Sequence, residues 1–99
     1  YAITVGGMMT TNVGLTQSNN VGLSQSESIG TTKTVTVGDK ITITCGASSI
    51  TMDKSGDITV HGKNVTVNTD DKCEVHATGN VTVKSAANVI VKGTNILMN

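Results

Sequence analysis

His61, His76, Cys45, Cys73 and Glu27 carry most of the chemistry available to this sequence, since imidazoles and thiols ligate metals and a carboxylate moves protons. Their spacing uses none of it. No His, Cys, Asp or Glu cluster has metal-ligand spacing, no Ser/His/Asp grouping is present, and no glycine loop leads into a helix as a phosphate cradle would. No enzymatic activity, cofactor, metal or small-molecule substrate is therefore expected.

The elements that would position these groups are strands. Val, Ile and Thr supply 38 of the 99 residues and Gly supplies 11, with no Pro and a single aromatic, Tyr1. That mixture favours extended segments broken by corners over helices, and a core of small branched aliphatics over rings. Seven Lys balance seven Asp plus Glu, with no Arg, which removes the electrostatic footprint of a nucleic-acid binder. No apolar run is long enough for a transmembrane helix or the middle of a signal peptide.

Self-similarity organises the chain, read as one domain over residues 1–99. Gly6, Gly14, Gly22, Gly30, Gly38 and Gly46 follow one another at intervals of eight, each after an apolar residue: Val5, Val13, Val21, Ile29, Val37 and Cys45. These strict glycine octads cover residues 1–46. Apolar pairs separated by one residue begin at Val35 and dominate residues 47–99: Val35 and Val37, Ile43 and Cys45, Ile50 and Met52, Ile58 and Val60, Val65 and Val67, Cys73 and Val75, Val81 and Val83, Val89 and Val91, Ile96 and Met98. Thr stands between the members in six of the nine pairs, the alternation of a strand with one buried face. Corners are expected at Lys54–Asp57, Gly62–Asn64, Thr69–Asp71, Thr78–Asn80 and Gly93–Asn95, where Gly, Asn and Asp tolerate left-handed backbone.

Equal spacing predicts a solenoid in which strands stack on other layers rather than on their sequence neighbours through hairpins. A single chain with three strands per coil would make a stub only about 20 Å tall, whereas three chains winding together would make a rod of about 55 to 60 Å whose axis has no room for an aromatic ring. The paired residues, from Val35 to Val91, are then the trimer core. His61 and His76 each follow an inward Val and point outward, while Cys45 and Cys73 fill inward positions as reduced thiols about 19 Å apart. Glu27 shares its parity with Ile29; three glutamates on one axis would demand protonation or a trapped cation, so a corner position in solvent is expected.

The octads around "TVTVGDKITITCG" and the run "GDITVHGKNVTVN" resemble the carboxy-terminal needle of the valine-glycine repeat proteins of type VI secretion systems, itself similar to the spike stem of contractile phage tails. The resemblance implies an all-β, intertwined triple-stranded β-helix: a homotrimeric prism that pierces a target membrane transiently. It also implies assembly in a bacterial cytoplasm before injection. The chain would then be a piece of a longer spike protein with base domains upstream. A blunt distal end, here Ile96, Leu97, Met98 and Asn99, would dock a conical cap with proline-alanine-alanine-arginine repeats. The sequence departs from a strict octad at Lys54, Asp70, Thr78 and Ala86, so different corners are expected in the second half. The rival reading is a monomeric solenoid binding module, ice-binding or adhesin-like, suggested by the steps Thr34-x-Thr36 and Thr42-x-Thr44.

Overall fold

A computed structural model describes all of residues 1–99. The protein is all-β, with one three-stranded antiparallel sheet and no helix, hence no helix long and apolar enough to cross a membrane. The chain divides into two units, Tyr1–Val37 and Gly38–Asn99, a break that falls ahead of the change in repeat type at residue 46.

In Tyr1–Val37 the octad is a conformational repeat. The backbone bends at Gly6–Gly7, Gly14–Leu15, Gly22–Leu23 and Gly30–Thr31, one bend per octad. Val5, Val13, Val21, Ile29 and Val37 are 46%, 49%, 48%, 45% and 48% exposed, a spread too narrow for anything but one geometry repeated. Leu15 and Leu23, each just after its glycine, are fully exposed. This unit holds no backbone ladder.

Gly38–Asn99 contains the sheet. β1 (Lys40–Cys45) pairs antiparallel with β2 (Ser48–Asp53), and β2 with β3 (Ile58–His61), in the order β1-β2-β3. The prediction that strands avoid their sequence neighbours fails here, for a local reason. Cys45 pairs with Ser48, leaving the two-residue turn Gly46–Ala47. Gly46 has φ +55° and Ala47 does not have positive φ, the pattern of a II′ turn, whose twist matches that of the flanking strands. The seven-residue step from Ile43 to Ile50 suits this hairpin: across a two-residue turn an odd step sets apolar residues opposite apolar ones, Ile43 against Ile50 and Ile41 against Met52.

Four residues join β2 to β3, and Asp53 organises them. Its Oδ1 accepts from the Ser55 hydroxyl at 2.5 Å, the Ser55 N–H at 3.1 Å and the Asp57 N–H at 3.3 Å. Gly56, at φ +97°, donates its N–H to the Asp53 carbonyl at 3.1 Å. Lys54 ties the corner to the start of β1, donating its N–H to the Asp39 carbonyl at 2.9 Å, with its Nζ 3.4 Å from Asp39 Oδ1.

Beyond β3 the octad spacing of bends persists at Lys63–Asn64, Asp70–Asp71, Thr78–Gly79, Ala86–Ala87 and Thr94. Three bends thus fall on Asp70, Thr78 and Ala86, where glycine is replaced. Left-handed backbone does not explain these corners, contrary to expectation: Gly46 and Gly56 are the only residues with positive φ. Different devices hold them. At Ala86–Ala87 the Ser85 hydroxyl accepts the Ala87 N–H at 3.1 Å. At Gly93 a Cβ would lie 3.2 Å from the Asn95 carbonyl oxygen, so the chain's own backbone crowds the position.

Candidate functional site

The pleat gives the sheet two chemically opposite faces. Ile41, Ile43, Ile50, Met52, Ile58 and Val60 share one; Thr42, Thr51 and Thr59 form a rank across the other. The three apolar pairs within the sheet therefore lie on a single face, with their intervening threonines turned away. Ile41 joins that face and was missed in the sequence reading, although the alternation Ile-Thr-Ile-Thr-Cys extends to it.

Nothing else within Gly38–Asn99 covers this face. No residue in either unit is buried, and Ile43, Ile50, Met52, Ile58 and Val60 are all exposed. The same holds for the other core candidates, Val35, Val37, Val65, Val67, Val75, Val81, Val83, Val89 and Val91, and for Cys45 and Cys73. The chain exposes 10569 Å². A compact monomer of 10.1 kDa would expose roughly 5,300 Å². The apolar pattern written into the strands is thus unspent within one copy.

Next to the apolar face runs an open groove of about 360 Å³, with Ile43, Ile50 and Val60 from the sheet and Val65 from the segment after β3. At Gly62 that segment lies against the sheet at ordinary contact distance: a Cβ there would sit 3.5 Å from Ser48 Oγ and 3.6 Å from Val65 Cγ2. Cys45 lines the groove from the β1 end, and His61 borders it while standing opposite Ser49 in the ladder.

The polar candidates do not converge. Both cysteines are free thiols. No group of three or more His, Cys, Asp or Glu could hold a metal ion. Glu27 does not occupy a corner: it lies between the bends at Gly22–Leu23 and Gly30–Thr31, half exposed, 2.6 Å from Lys33 Nζ. An ion pair of that kind spans the bend at Gly30 and neutralises the carboxylate in solvent, adding less than about 1 kcal/mol. The Asp53 carboxyl is held below the usual carboxylate range first by the Ser55 hydroxyl, then by the Asp57 N–H, with smaller help from the Ser55 N–H and the charge of Lys40. The oxygen that receives these donors is the one shaping the β2–β3 corner, so its task is structural.

At the carboxy terminus Leu97 and Met98 are almost fully exposed and Ile96 about half, an apolar ending followed by Asn99. No protein family, no curated protein and no solved structure matches the chain.

Proposed function

We propose that the chain is one protomer of a homotrimeric, non-enzymatic β-helical rod, the puncturing needle of a contractile injection spike of the type VI secretion class. The observation that carries this reading is the exposed, periodic apolar pattern. Nine Val-x-Val-type pairs and a strict octad are laid out along a chain in which no side chain is buried. Excess exposed surface of about 5,000 Å² per copy is several times the roughly 800 Å² per partner of a standard interface, ample for an obligate assembly. A formal charge of zero offers no repulsion to association of identical copies.

The octad glycines support the same reading. Gly6, Gly14, Gly22, Gly30 and Gly38 have no positive φ, and a Cβ added to any of them would meet nothing within 4 Å. Their repetition has no reason inside one copy, and close approach of a neighbouring copy's backbone supplies one. Intertwining also suits a rod driven through a membrane, because the segments outside Lys40–His61, which have no partner within the chain, would each pair with two other copies, and none of the three chains could peel away alone. Two unbridged thiols agree with assembly in a reducing bacterial cytoplasm before ejection.

Ile96, Leu97, Met98 and Asn99 are the docking platform for a conical cap of proline-alanine-alanine-arginine repeats in this reading. Light scattering tests the assembly: about 30 kDa in solution supports it and 10 kDa ends it. Size-exclusion of the trimer mixed with such a cap, with Leu97→Lys as the weakened control, tests the tip; absence of any complex removes the docking role.

One observation favours the rival solenoid binding module: Thr42, Thr51 and Thr59 stand side by side across three strands. The rank is only three threonines wide, and beyond His61 no ladder continues it. A thermal-hysteresis assay decides whether it orders ice.

A further inference from the structure

Every backbone-to-backbone hydrogen bond within the chain lies between Asp39 and His61. Before copies meet, this is the only segment whose strands have partners. Its two connections also differ from everything around them, a two-residue turn at Gly46–Ala47 and an Asp53-centred loop of four, so the segment has no counterpart one octad away.

The octads have the opposite property. Shifting one copy by eight residues lays Val5 on Val13, Val13 on Val21 and Val21 on Ile29, residues of nearly equal exposure and size. Slipped registers of the amino-terminal half are therefore close in energy, as in any strand whose pattern repeats. Something aperiodic must choose among them.

We infer that Lys40–His61 is the seed of assembly: three copies meet through the apolar faces of their sheets, and this contact fixes the register for the octads on one side and the Val-x-Val segments on the other. The inference rests on the homotrimer reading. The occupant of each apolar face is the same face of two further copies. It is wholly uncharged at Ile41, Ile43, Ile50, Met52, Ile58 and Val60, while Lys40, Asp53 and His61 lie on the reverse. A preformed sheet lowers the entropic cost of the first encounter, because its strands are already ordered when the chains collide. The intertwined strands form afterwards, outward from the seed.

The experiment uses the full chain, refolded from denaturant at several concentrations, with assembly followed by light scattering. Register is read by distances between spin labels at Ser18→Cys in a Cys45→Ala, Cys73→Ala background. The parent is expected to give one intercopy distance. Ile50→Lys, at the centre of the apolar face, is expected to slow assembly at least tenfold and to add longer distances from slipped copies. Thr51→Lys, on the opposite face, should stay within twofold of the parent. Gly46→Asn with Ala47→Gly installs a stronger hairpin turn and should speed assembly at least threefold. If Ile50→Lys fails to fold at all, the strengthened hairpin still decides. Assembly no faster in that variant, or a parental rate and single distance in Ile50→Lys, overturns the seed while leaving the trimer standing. A monomeric parent removes the trimer itself, and the seed with it.

Discussion

Ile43 and Ile50 stand directly opposite each other in the β1–β2 ladder, with Val60 across from Ile50 on the far side, and all three side chains are exposed. Three branched side chains in one rank are a hydrophobic strip the chain does not use. If copies cover it, Ile50→Ala should cost about 2 to 5 kcal/mol per copy in a denaturant melt, the range for truncation in a core. Thr51→Ala, on the reverse face, should change stability by no more than about 0.5 kcal/mol. Equal, small effects at both positions would mean that the strip stays in water.

Gly46 is the residue on which the β1–β2 turn depends, because it takes φ +55° where a β-branched side chain is strained. Gly46→Val is expected to destabilise the protein by about 1 to 3 kcal/mol and to remove the slowest-exchanging amides of β1 and β2. Amide hydrogen exchange by NMR checks this, and protection retained at Ile43 and Ile50 would show that the hairpin survives without its glycine.

The alternation was legible in the sequence because the pleat imposes a period of two on any strand with unlike faces. Ile50, Thr51 and Met52 could be sorted before any pairing was known, and so could the bends at Asp70 and Thr78; the bend at Ala86–Ala87 was not among the expected corners, because no Gly, Asn or Asp stands at those two positions. The partner of each strand was not legible. An octad is compatible with stacking on another layer and with folding back, and the choice at Gly46 turns on a single backbone angle that the repeat does not encode. Asp53 was hidden for a similar reason: its partners Ser55 and Asp57 lie within one corner, and the corner's composition signals a turn without saying which atom holds it.

Asp53 makes the β2–β3 corner sensitive to acid. Its folded carboxyl titrates below the ordinary value of 3.8, so the contribution of the ionised form is fully present above that value and is lost as pH falls through the lower, folded one. An NMR titration should place the Asp53 midpoint below 3.8, and Ser55→Ala, which removes the leading donor, should move it upward. An unchanged midpoint in Ser55→Ala would show that the hydroxyl at 2.5 Å is not what stabilises the carboxylate.

Gly22 separates the one-copy and three-copy readings without reference to any partner. In a lone chain its replacement by Ala meets open space at an ordinary backbone angle, and the loss of chain freedom in the unfolded state should raise stability by about 0.4 to 1 kcal/mol. In an intertwined trimer three added methyl groups would enter a region crossed by neighbouring backbones, where overpacking costs about 1 to 3 kcal/mol. Gly22→Ala is therefore expected to lower the midpoint of thermal unfolding, and Gly14→Ala and Gly30→Ala to lower it comparably, because the octad makes the three sites equivalent. A rise at all three would mean that no neighbouring copy passes there and that the glycines answer to something other than assembly.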